Sequence, residues 1–181
     1  AAHFRKHGIP MSNLIHQHDL SCLESLIIHF NPGRIIFVGD LLHAAENSEV
    51  KELKKFLRKH ALIEFILVRG NHDRLDERIL MEMGIDKVCT NFYLHEVQFI
   101  HHSTKFGGTP QISGHLHPGV AVRLPPDQWR SFPAYVVSNN DLILPAFSHF
   151  TGTDVKAHIA GAVYHGVHDD GIFDVPRYGR R

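Results

Sequence analysis

The 181 residues contain only two cysteines, Cys22 and Cys89. That excludes a disulfide framework and a thiolate zinc site, and the pair reads as ordinary reduced thiols of a cytoplasmic protein. An excess of either charge is also lacking, since 19 Lys and Arg balance 19 Asp and Glu. A net charge of zero gives no global basic field to draw the chain onto nucleic acid, although a local basic groove stays open. No apolar run reaches the ~18 residues that a membrane-spanning helix needs. Low-complexity stretches, internal repeats and linkers are lacking too, which argues against a string of domains. What remains is 43% hydrophobic and 21% charged residues, a profile that suits one globular domain. We read that domain as residues 1–175, followed by a basic tail at 176–181.

Histidine is the residue present in excess, 17 of 181. Solvated or core histidines account for most of them, but the number invites a search for metal-ligand spacing. Residues 20–30 predict a helix, with Leu20, Leu23, Ile27 and Phe30 on one face and Asp19 or Ser21 as its cap. After Pro32-Gly33 comes Ile35-Ile36-Phe37-Val38, a continuous apolar run that predicts a strand buried on both faces. The unit repeats, with a helix at 48–60, a strand at 63–68 and a shorter helix around 76–83. This alternation predicts an α/β sheet. From about residue 90 short strand candidates take over, at 93–100, 111–113, 119–124, 134–138 and 142–145. The second half therefore reads as mainly β.

Four short motifs follow strand candidates. They are Gly39-Asp40-Leu41-Leu42-His43, Gly70-Asn71-His72-Asp73, His101-His102 and Gly114-His115-Leu116-His117-Pro118. Each has an ordinary reading: a turn, a helix cap, a strand end, a chance His pair. In order, each after a strand, they make four coincidences at once. In open α/β sheets ligands gather beyond the carboxyl ends of the strands, so all four would deliver polar side chains to one rim. Gly39, Gly70 and Gly114 would let the backbone turn there. A carboxylate, an amide carbonyl and neutral imidazoles form a mixed oxygen and nitrogen donor set, which suits Mn, Fe, Zn or Co better than Mg.

The series GD, GNHD, H and GHLH over residues 39–118 resembles the calcineurin-like metallophosphoesterase superfamily. The resemblance implies an α/β fold in which two mixed sheets are flanked by helices in four layers, αββα, with a dinuclear metal centre at one rim. It makes Asp40 the ligand shared by two divalent ions, Mn foremost, with Fe, Zn or Co as alternatives. Asn71, His101 and His115 would hold one ion and His117 the other. His101 is preferred to His102 because family members place the ligand directly after the strand; His102 would lie beside it or face substrate. His72 would donate a proton to the leaving group, with Asp73 orienting its ring. The implied reaction is hydrolysis of a phosphodiester by a hydroxide held between the metals.

The family's earlier Asp-x-His motif is not found ahead of Asp40. His16-Gln17-His18-Asp19 has the right residue types but reads as cap and loop before the first helix. Residues 1–10 and 142–155 resemble the DNA-ligase-associated metallophosphoesterases, in which Asp-x-His lies just ahead of such an opening loop. The first strand is therefore expected before Ala1, and only one metal site is nearly complete in this chain. The subfamily implies a nuclease or phosphodiesterase of DNA repair, associated with a DNA ligase and helicase. Arg5, Lys6 and His7 would then meet a phosphate backbone, or be ordinary loop charges. Two other readings compete: a small-molecule or nucleotide phosphatase, and a binding module with an incomplete metal centre.

Overall fold

The structure is a computed structural model, described here for residues 12–42, 48–103, 108–148, 151–156 and 159–175. The chain divides into two compact units, Ala1–Thr90 and Asn91–Arg181, at the point where the sequence turns from α/β to β.

The first unit runs α1 (Ser12–Phe30), β1 (Arg34–Val38), α2 (Ser48–Lys59), β2 (Glu64–Val68), α3 (Glu77–Met83) and β3 (Lys87–Cys89). The strands form a parallel sheet in the order β1-β2-β3. Helical connections of this length are what parallel pairing requires. Phe65, Ile66, Leu67 and Val68 of the central strand are all buried. The residues of β1 are only half-buried or exposed, not enclosed on both faces as their apolar run suggested. The reason is position: among the described residues β1 pairs with β2 alone and forms an edge. Leu53, Phe56 and Leu57 of α2 and Leu80 and Met83 of α3 complete the core, each contributing roughly 1.5–3 kcal/mol by burial.

Helix α1 starts eight residues ahead of its expected start, so His16, His18, Asp19 and Ser21 lie within it rather than capping it. Leu20, Leu23 and Ile27 face the core, whereas Phe30 is 68% exposed at the final turn, where it stacks edge-on to His29. Glu24 pins α1 to the end of α2, accepting from Lys59 Nζ at 2.8 Å and pairing with His60 Nε2 at 2.7 Å. Asp76 caps α3 by accepting from Arg78 N, and Gly84 closes it in a left-handed conformation. Burial pushes the Cys89 thiol up from its ordinary value.

The second unit is a mixed sheet in the order β11-β10-β8-β9-β6-β5-β4, with β7 paired to β8. Its strands are β4 (Asn91–Leu94), β5 (Val97–Ile100), β6 (Gln111–Ser113), β7 (Gly119–Leu124), β8 (Gln128–Ser138), β9 (Asp141–Ile143), β10 (Val163–His168) and β11 (Gly171–Asp174). The stretch 93–100, read as one strand, is a hairpin that turns at His95-Glu96, with His95 at φ 52°. No Gly, Asn or Pro marks that turn in the sequence. Strand β8 starts six residues before its expected first residue, because its first half pairs with β7 and its second half with β9 and β10. Val120, Ala134, Val136, Ile143 and Tyr164 form the core of this unit. No helix among the described residues is long and apolar enough to cross a membrane.

Candidate metal centre

In the first unit the register builds the site. Strands β1 and β2 are parallel and paired Val38 with Val68, so Asp40 and Gly70 each lie two residues beyond that pair. They meet so closely that a Cβ on Gly70 would lie 2.9 Å from Asp40 Cγ, and closer still to its Oδ1 and backbone N. Gly70 is therefore required by close approach, while Gly39, at φ 81°, supplies the turn. Asp40 itself has φ 55°, a left-handed conformation that costs a non-glycine residue about 1–2 kcal/mol.

The two loops are bound together by one carboxylate. Asp73, only 5% exposed, accepts from Asp40 N at 2.8 Å and Gly70 N at 2.8 Å through Oδ2, and from Leu42 N at 3.0 Å through Oδ1. The resemblance assigns this residue to the His72 ring; its carboxylate is engaged by these three backbone donors. Asp40 Oδ1 in turn accepts from His72 N at 2.9 Å. Asn71 and His72 are exposed. Arg69, which the sequence reading passed over, donates from Nη1 to the carbonyls of Asp73 and Leu75, both at 2.9 Å. Its place in the Arg-Gly-Asn-His-Asp run was the only signal that could have drawn attention to it.

The second unit uses the same device. Strands β5 and β6 are parallel and end in register at Ile100 and Ser113, so His101 and Gly114-His115 leave the sheet side by side. Gly114 N donates to the His101 carbonyl at 3.2 Å. His101 is buried, with Nε2 3.0 Å from His115 Nδ1. The exposed His102 stacks on His115, ring centres 4.4 Å apart and 26° between planes. His115 and His117 are both left-handed, at φ 67° and 46°. The His117 carbonyl accepts from Asp154 N at 2.8 Å, which fastens this turn to the 151–156 loop. Gly119 permits that contact, since a Cβ there would lie 2.7 Å from Thr153 Cβ.

The spacing of the two imidazoles suits a cation. Two imidazole nitrogens 3.0 Å apart are close enough to share a hydrogen bond or to bind one cation together. Without a cation one of them must carry a proton toward the other; with a cation both lone pairs point at it. Three expected ligands, Asp40, His115 and His117, are in left-handed backbone, as are Asn31, His95 and Asn139 outside the motifs.

A family model of the calcineurin-like phosphoesterases matches residues 16–120, more than half of the sequence. The chain belongs to the calcineurin-like phosphoesterase family. It is accordingly a metal-dependent phosphoesterase, a hydrolase, and the divalent metal ions expected from its motifs are those of the family. The fold is similar to a solved structure described as Pseudomonas putida nuclease MPE, with a TM-score of 0.70 and 24% identity, over 83% of this chain and 75% of that one. No curated protein matches the chain. The family match covers all four motifs, from Asp40 to His117. Arg5, Lys6, His7, His43 and the 176–181 tail lie outside the described residues.

Proposed function

We propose that this calcineurin-like phosphoesterase hydrolyses phosphodiester bonds in nucleic acid. Asp40, Asn71, His101, His115 and His117 would hold two divalent cations, Mn by preference. The observation that supports a nucleic-acid substrate is the similarity of fold to a nuclease from Pseudomonas putida. The resemblance of residues 142–155 to ligase-associated enzymes adds a DNA-repair setting, with a ligase and helicase as functional partners. The ligand assignment is supported by the 3.0 Å imidazole pair.

When bound, the cations would act as Lewis acids on the phosphoryl oxygens and lower the pKa of water. The chain's own residues do the rest. Asp40 supplies a carboxylate fixed by its loop. The exposed His72 can reach a bulky substrate and protonate the leaving oxygen, worth about 10²–10⁴ in rate. His102, also exposed, can bind substrate while steadying the His115 ring.

A Mn-supplemented assay should compare a generic diester, a monoester, single-stranded DNA and duplex DNA. The expected order places the diester and DNA ahead of the monoester. Asn71→Ala should lose metal; His72→Ala should keep metal and lose turnover. Preference for the monoester would make the protein a small-molecule phosphatase. Hydrolysis with no divalent ion would refute the proposal, and so would a folded, metal-loaded protein inactive on all four substrates.

A further inference from the structure

We infer that Asp73 is a positioning residue that fixes the Asp40 loop in its ligand-holding geometry, with Arg69 locking Asp73 in place; the functional half of this inference rests on the proposed metal site. The carboxylate is buried and makes three short bonds, all to backbone N–H groups. Two of the donors, Asp40 and Leu42, belong to the loop after β1, and the third, Gly70, to the loop after β2. One side chain thus ties together two loops more than 30 residues apart in sequence. Through Oδ2 it holds the N–H of Asp40, the residue at φ 55°. A left-handed aspartate would relax if its N–H and that of Leu42 were released.

The clamp is itself held. Arg69 donates to the carbonyls of Asp73 and Leu75, which fixes the peptide that carries the carboxylate. The circuit closes at His72, whose N–H binds Asp40 Oδ1. The direction of the Asp40 side chain and the location of His72 therefore depend on the same buried carboxylate. A carboxylate suits this task because it only accepts. An amide of the same shape turns one acceptor into a donor, which must then face a backbone N–H.

The test compares Asp73→Asn and Asp73→Ala with Leu80→Ala, a core truncation in α3 at a residue 1% exposed that takes no part in either loop's hydrogen bonds. Three quantities are read at a temperature where circular dichroism shows all proteins folded. They are amide hydrogen exchange at Asp40, Leu42 and Gly70 in metal-free protein, Mn affinity by electron paramagnetic resonance, and kcat and KM on a generic diester. Asp73→Asn should speed exchange at Leu42 at least tenfold, and Asp73→Ala at all three amides. Mn affinity should fall about 10–100-fold, the usual effect of losing a residue that orients a ligand. At saturating Mn, kcat should fall while KM stays within about twofold. Leu80→Ala should lower the melting temperature but leave exchange at the three amides and Mn affinity close to wild type. Unchanged exchange in both Asp73 variants overturns the clamp. An equal loss of Mn affinity in Leu80→Ala overturns the positioning role. If wild-type protein binds no Mn the proposed function fails instead, and the metal-free exchange still decides on the clamp.

Discussion

Replacing Gly70 with alanine tests the close approach of the two strand-end loops in the first unit. The added Cβ would lie 2.9 Å from Asp40 Cγ and nearer to Oδ1 and N, where ordinary contact begins at 3.4 Å. One loop must retreat by about 1 Å to restore van der Waals contact. A retreat of that size takes the 2.8 Å bonds from Asp40 N and Gly70 N to Asp73 Oδ2 beyond hydrogen-bonding distance. Overpacking costs about 1–3 kcal/mol, and each bond to a charged acceptor about 1.5–3. Alanine offsets only about 0.4–1 kcal/mol of this by restricting the unfolded chain. A net loss of about 3–8 kcal/mol should lower the melting temperature of the metal-free protein by at least about 6 °C. Mn affinity should fall with it, since Asp40 can no longer hold its geometry. Gly33 is the control, because a Cβ there meets nothing within 4 Å. Gly33→Ala should melt within about 2 °C of wild type. Calorimetry and Mn titration on the three proteins suffice. If Gly70→Ala melts and binds Mn like Gly33→Ala, the close approach does not govern the site and the reasoning is refuted.

Hydrogen bonds from Lys59, and then from His60, hold the Glu24 carboxyl below its ordinary value of 4.5. A group depressed in the folded state stabilises above its unfolded pKa and loses that contribution as pH falls through the folded value. Glu24→Gln should therefore melt lower than wild type at neutral pH and converge with it below the folded pKa of Glu24; melting curves that stay parallel down to pH 3 would contradict the pairing. His101→Ala removes one nitrogen of the imidazole pair and should weaken Mn binding at least tenfold while the melting temperature of the metal-free protein moves by only a few degrees; calorimetric titration with Mn checks it. Leu57→Ala opens a cavity in the first unit's core at a residue 1% exposed and should cost about 2–5 kcal/mol in urea unfolding.

The α/β class, the break near residue 90 and the family itself were legible in the order of residues. Each depends on local chemistry: the apolar runs at 35–38 and 63–68, the helical spacing at 48–60, and the four polar motifs behind strands. The candidate ligands were legible for the same reason, since Asp40, Asn71, His101, His115 and His117 are conspicuous side chains in short motifs. What those motifs could not contain was their partners. The resemblance reads Asp73 as the partner of the His72 ring, and only folding reveals that its acceptors serve Asp40 and Leu42, 33 and 31 residues earlier. Gly70 looked like a turn glycine, and the register of β1 on β2 makes it a space that Asp40 fills. The left-handed backbone at Asp40, His115 and His117 leaves no mark on composition or periodicity. Helix α1 reaches back to Ser12, Phe30 points outward and β1 stays half-buried, since burial is decided by which strands and helices are present as neighbours. The sequence alone thus determined which atoms are offered for chemistry. Tertiary structure decided how Asp40, His101 and His115 are held in place, because the in-register strand ends and the buried carboxylate join residues that are far apart along the chain.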